Sequence, residues 1–258
     1  KLPAYQKFTL KNGLTVYLME QHEVPIISVS AILPAGAIYD GEKSGLASLT
    51  ATALKHGTKN YNKEKLDNEL DFLGASINSF ASKESAGLSA RMAAKDKDKV
   101  MLLLKEIMLE PVFDSTEFGK EKKRLLVSLE QQKESPRSVI NSYFDKFLYG
   151  DHVYGNIQQG KISTVTPLTS KDVKQFYADN YRPDGAAIAI AGDFNSAEMK
   201  ALVTSLFSGW KKGTKPQANP AAQPISKPSK HQVLLINKDD AKETSFYSGA
   251  PCISRNNP

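Results

Sequence analysis

Between Ser44 and Tyr61 the chain reads SGLASLTATALKHGTKNY, and this stretch most narrows what it can fold into. Leu46, Leu49 and Ala53 recur at i, i+3 and i+7, the spacing of one apolar helix stripe. Gly57-Thr58 supplies a glycine stop. Ser48, Ala51 and Thr52 fall at i, i+3 and i+4 on a neighbouring face, a spacing that presents three side chains to one point. All three are small, and none is a strong metal ligand or an acid/base.

The segments on either side alternate in a strand-like way. Tyr5–Met19 reads as two strands joined at Asn12-Gly13, a hairpin signal. Ile26–Leu33 is a β-rich run, and Pro34–Glu42 a loop. Helices are predicted over Asn62–Leu73, Asp96–Leu109, Ser115–Glu134, from Pro136 through Phe147, over Thr169–Tyr181 and over Ser196–Trp210. Strands are predicted over Ser76–Phe80, Ser85–Met92 and Ala186–Gly192. From Gly213 to Lys230, Pro216, Pro220, Pro224 and Pro228 punctuate Ala, Ser, Lys and Gln, the pattern of an interdomain linker. Val233–Asn237 and Thr244–Ser248 beyond it read as the first two strands of another domain. At 258 residues, one full domain and part of a second are expected.

The motifs now carry a resemblance. SGLA and, after nine intervening residues, GTKNY resemble the opening of the M16 zinc peptidases, the group of insulinase, pitrilysin and the mitochondrial processing peptidases. TLKNGLTVYL, LGASIN, DHVYG and AIAIAGDF fall where that family places similar segments, so the resemblance runs along essentially the whole chain. It implies an α+β fold: a mostly antiparallel sheet of about six strands, helices packed mainly on one face, and a second such domain begun after the linker. The division is 1–212, a peptidase-like domain; 213–230, the linker; and 231–258, the first strands of a second domain.

Active members of the family carry His-x-x-Glu-His between the two landmarks. The two histidines hold zinc, and the glutamate activates the bound water. Laid over this chain without a gap, those positions fall on Ser48, Ala51 and Thr52. The family's third ligand, a glutamate on the later long helix, falls on Ser128. Glu130, two residues on, is turned roughly 200° away. All four positions are thus degenerate, and the resemblance implies no zinc, no cofactor and no catalysis by this chain alone. His22, His56, His152 and His231 form no pair at helical spacing, and His56 reads as a surface or C-cap histidine. The family also uses an exposed edge strand to which substrate adds as an extra strand. Its counterpart here is Asn78-Ser79-Phe80, for which an ordinary edge strand closing the sheet is the favoured reading.

Composition excludes other classes. The net charge of +6 and pI near 9.1 come from scattered lysines with no RNP, zinc-finger or basic-helix pattern, so nucleic-acid binding is not expected. Cys252 stands alone, so no internal disulfide forms. No apolar run reaches the roughly 18 residues of a membrane-spanning helix. Lys1 in place of Met points to a cleaved signal or a trimmed start, and a periplasmic or secreted setting is favoured. The function implied is a non-catalytic M16 homologue, the inactive partner of an active subunit that keeps His-x-x-Glu-His, with both enclosing unfolded peptides. The alternative is a stand-alone peptide-binding scaffold with the same fold.

Overall fold

A computed structural model of the chain describes residues 4–213, 219–225, 230–237, 239 and 243–252. The alternating runs fold as β1 (Gln6–Thr9), β2 (Thr15–Glu20), β3 (Ile26–Leu33), β4 (Ser76–Ala81), β5 (Ala86–Ala93) and β6 (Ala187–Gly192). They form one sheet in the order β1-β2-β6-β3-β5-β4. Every pairing is antiparallel except β2 with β6, which run parallel. In β3, Ile27, Val29, Ala31 and Leu33 are buried while Ser28 and Ile32 are exposed. Val16 and Leu18 of β2 and Ile188 and Ile190 of β6 lie on the same covered face. One side of the sheet therefore faces the core and the other faces water, as the period-2 pattern requires.

The helices are α1 (Leu46–Ala53), α2 (Lys63–Phe72), α3 (Lys97–Leu109), α4 (Ser115–Gln132), α5 (Pro136–Tyr149), α6 (Ile162–Val165), α7 (Ser170–Asn180) and α8 (Ser196–Phe207). Contacts from α1, α2, α3 and α8 reach the sheet. Side chains cap the starts of α2 and α7: Asn62 accepts from the Lys65 amide at 2.8 Å, and Thr169 closes a capping box with Asp172. Asn12 does more than shape a turn. It is buried, and its Nδ2 donates to the carbonyls of Phe207 and Trp210 at 2.8 and 3.1 Å, which ties the β1–β2 loop to the end of α8.

Two expectations need correction. The helix predicted from Ser44 stops at Ala53 and not at Gly57. Its last amides tighten into short-range bonds, His56 N–H to the Ala53 carbonyl at 3.1 Å, before Gly57 turns at φ +122° and bridges to Asn62. Val233–Asn237 and Thr244–Ser248 form no strands, and Val233, Leu235 and Phe246 stand more than 80% exposed. β-propensity needs a neighbouring strand to become a ladder, and none lies beside them among the described residues. Of the linker prolines, Pro220 opens a short 3-10 turn, whereas Pro216 and Pro228 lie outside the described residues.

The start of α1 depends on a residue outside it. Gly45 occupies the cap position at φ +98° and has no side chain to satisfy the first-turn N–H groups. Asp40 does this from the preceding loop: its Oδ2 accepts from the Gly45 N–H and its Oδ1 from the Ala47 N–H, both at 2.8 Å. Burial outweighs those hydrogen bonds and pushes the Asp40 carboxyl up to about 7. The folded state thus holds a proton that the unfolded chain releases near pH 4. The stability that Asp40 contributes should fall as pH rises through about 4 to 7, and this contribution should be absent from the pH profile of Asp40→Asn. The same substitution turns an amide N–H₂ toward a helix N–H and should cost about 1–2 kcal/mol near neutral pH. Urea unfolding of both proteins across that pH range checks slope and offset together.

Candidate functional site

Of the four positions in question, three are fixed by α1 itself. Ser48, Ala51 and Thr52 share its neighbouring face as predicted, and Ser128 lies on α4, which contacts α1. Ala51 is 2% exposed, while Ser48, Thr52 and Ser128 are half-buried. The Ser48 hydroxyl donates to the Gln158 carbonyl at 2.8 Å, and the Thr52 hydroxyl donates back to the Ser48 carbonyl at 3.1 Å. Two cavities, of about 460 and 570 Å³, lie elsewhere: one against Lys83, Asp145 and Tyr149, the other against His56, Asp114 and Glu117.

What covers the first turns of α1 is the segment 157–160. Ser44 Oγ donates to the Ile157 carbonyl at 2.6 Å, and Gln132 Nε2 reaches the Gln159 side chain at 3.0 Å. Gln158 Nε2 donates to the Ala81 carbonyl at the end of β4, at 2.5 Å. The crossing is so close that a Cβ on Gly45 would stand 2.9 Å from the Gln159 carbonyl oxygen, so only glycine permits it. This strap joins the helix that carries the three positions to the edge of the sheet. Sequence reasoning missed it, because its partners stand 77 to 113 residues apart.

A zinc ion needs imidazole, thiolate or carboxylate donors. The side chains here are a methyl group and hydroxyls, with those of Ser48 and Thr52 already donating to carbonyls. The residues present do not fit the metal. Among the described residues no group of three His, Cys, Asp or Glu is placed to hold one.

His56 is not on the surface. It is 5% exposed and its Nδ1 meets no partner among the described residues. Burial lowers its pKa against the opposing pull of Glu121 and Glu117, so the ring stays neutral near pH 7. Next to it, the Thr58 hydroxyl and the Asn60 amide each donate to the buried Glu106 carboxylate at 2.7 Å, which fixes the GTKNY loop. His22 is exposed and lies between carboxylates, with Nδ1 2.6 Å from Asp193 and Nε2 3.0 Å from Glu20. The Asp193 hydrogen bond, then that of Glu20, raises its pKa.

β4 is an edge strand, paired only with β5, and within it Asn78 lies opposite Ser89, Ser79 opposite Leu88 and Phe80 opposite Gly87. Asn78 and Phe80 are exposed and Ser79 is half-buried. The ring of Phe80 lies over Gly87, where a Cβ would stand 2.8 Å from its Cζ. This arrangement leaves the two readings of the strand, closing edge or peptide-adding edge, on the same residues.

Residues 15–158 match the family described as Insulinase (Peptidase family M16), and residues 167–258 match the Peptidase M16 inactive domain. The chain is 21% identical over 245 residues to an uncharacterized zinc protease, YmxG, of Bacillus subtilis, covering 95% of this chain and 58% of that protein. It is 26% identical over 209 residues to cytochrome b-c1 complex subunit 1 of Bos taurus, covering 81% of this chain and 43% of the relative. It superimposes on the crystal structure of a peptidase M16 inactive domain from Pseudomonas fluorescens with a TM-score of 0.81 and 26% identity, over 87% of this chain and 54% of that one. The chain thus spans about half the length of the relatives it matches.

The donor chemistry yields a graded prediction. Ser48→His, Ala51→Glu and Thr52→His together rebuild two ligands and the base, yet tight binding needs a third protein ligand. Adding Ser128→Glu should raise zinc affinity at least tenfold over the triple variant in calorimetric titration, with the parent chain binding no stoichiometric zinc. Equal affinity for the triple and quadruple variants would show that Ser128 is not the third position.

Proposed function

This chain belongs to the insulinase family of M16 peptidases, and from that membership we propose that it is a non-catalytic member serving as the inactive partner of an active M16 subunit. The observation that carries the proposal is the hydrogen bond from Ser48 to Gln158. A position aligned with a metal ligand is committed to holding a strap, while the core around it stays filled by Leu46, Leu49 and Leu54. A fold maintained without its chemistry is maintained for its surfaces, and a partner chamber uses those surfaces. The relative named as a subunit of the cytochrome b-c1 complex supports a life inside a larger assembly.

In this reading the active subunit supplies zinc and water activation, and this chain supplies wall. Asn78, Ser79 and Phe80 at the sheet edge are the positions where an extended, unfolded peptide would lie. The division at 213–230, with a second domain following, belongs to the same proposal. Among the described residues no helix is long and apolar enough to cross a membrane.

The test uses the full-length protein. It should co-purify with, or stimulate, an M16 relative from its own cell that carries intact His-x-x-Glu-His. Alone it should leave an unfolded, fluorophore-quenched peptide uncut. Failure to bind or affect any such relative, with peptide binding retained, would replace the partner reading with the stand-alone scaffold.

A further inference from the structure

The hairpin of β4 and β5 fixes which backbone groups of the edge point outward. Its last pair is closed by the Ser82 N–H donating to the Ser85 carbonyl at 2.6 Å. Along an antiparallel ladder, pairs that exchange hydrogen bonds alternate with pairs that do not. Ala81, Ser79 and Ile77 are therefore the β4 residues whose N–H and C=O face away from β5. Ile77 is 1% exposed, so its outward groups are covered. The Ala81 carbonyl is taken by Gln158 Nε2 at 2.5 Å. Half-buried Ser79 remains.

Gln158 is held from the opposite side as well, since its own carbonyl accepts from the Ser48 hydroxyl on α1 at 2.8 Å. It bridges the motif helix and the sheet edge, and its amide takes the Ala81 carbonyl that the N–H of an added strand would need. We propose that Gln158 is an internal competitor for an extended peptide, closing β4 beyond Ser79 until the strap releases Ala81. Ser48 controls that release by anchoring the strap. This inference rests on the reading of β4 as a peptide-adding edge. It adds to that reading a specificity determinant: the span of backbone that a peptide can pair is set by Gln158.

The physical reasoning gives a direction and a size. A peptide that pairs with Ala81 gains one outward hydrogen bond once the Gln158 amide is removed, a gain of about fivefold in affinity. Gln158→Glu is the sharper variant, because a carboxylate keeps the shape but turns only acceptors toward the Ala81 carbonyl. Ser48→Ala loosens the strap from its other side. Gln158 and Ser48 are both half-buried and outside the apolar core, so neither replacement removes core packing.

The probe is an acetylated and amidated eight-residue peptide of alternating threonine and valine, dye-labelled and read by fluorescence anisotropy. Its fully N-methylated counterpart, which has no backbone donors, is the control. The full chain should bind the first peptide weakly. Gln158→Glu and Gln158→Ala should bind about fivefold more tightly and Ser48→Ala more tightly than the parent, with the gains lost for the N-methylated peptide. Equal binding by parent and variants, or a gain that survives N-methylation, overturns the role of Gln158 and leaves the edge reading standing. Binding by none of the four proteins overturns the edge reading itself, and this inference with it.

Discussion

Two hydrogen bonds to the Asp40 carboxyl group hold the first turn of α1, and the arrangement of the site depends on them. Gly45 is needed because the strap crosses too near for any Cβ. A glycine cap has no side chain to offer, so the satisfaction of the helix start is moved five residues upstream to Asp40. The cap and the strap are thus one solution to one steric constraint. α1 then contacts β4, α4 and α7, and its orientation sets where Ser48, Ala51 and Thr52 stand.

In the proposed reading, those three positions are a catalytic surface turned structural without disturbing the core. A histidine pair and a glutamate bring large polar groups that need a metal or water to satisfy them. Hydroxyls satisfy themselves locally: Thr52 reaches the carbonyl one turn back, as serine and threonine do in helices, and Ser48 reaches across to the strap. The alanine between them is small enough to be almost wholly covered. In that reading, each replacement removes a group that would be costly to bury unpaired.

Much of the fold was legible because its signals are local. The alternation of Ile27, Val29, Ala31 and Leu33 marks a covered sheet face, and the cap at Asn62 forms where side-chain chemistry places it. Helix ends were less legible, since α1 stops at Ala53 through a tightened turn that no apolar pattern records. The strand order was not legible: β6 enters between β2 and β3 from more than 150 residues away, parallel to one and antiparallel to the other. The same holds for the site. The spacing of Ser48, Ala51 and Thr52 was readable, but the strap that absorbs Ser48 comes from residue 158, and Asp40 lay in a segment read as plain loop. His56 was misplaced on the surface because its burial arises from the loops and helix starts that gather around it, Thr58 to Lys65 and Asp114 to Glu117. The strands read at Val233–Asn237 and Thr244–Ser248 failed for a related reason, since apolar residues mark a capacity for pairing and not the pairing itself.

The central claim is that the motif face of α1 now serves to hold the strap. Amide hydrogen exchange at Gly160, the strap N–H that donates to the Ile157 carbonyl, measures this most directly, compared between the parent chain and Ser48→Ala. The account predicts a protected Gly160 amide in the parent, where it donates to the Ile157 carbonyl at 2.8 Å, exchange at least fivefold faster in the variant, and unchanged protection across β3, β5 and β6. A Gly160 amide that exchanges freely in the parent, or with equal protection in both proteins, would contradict it.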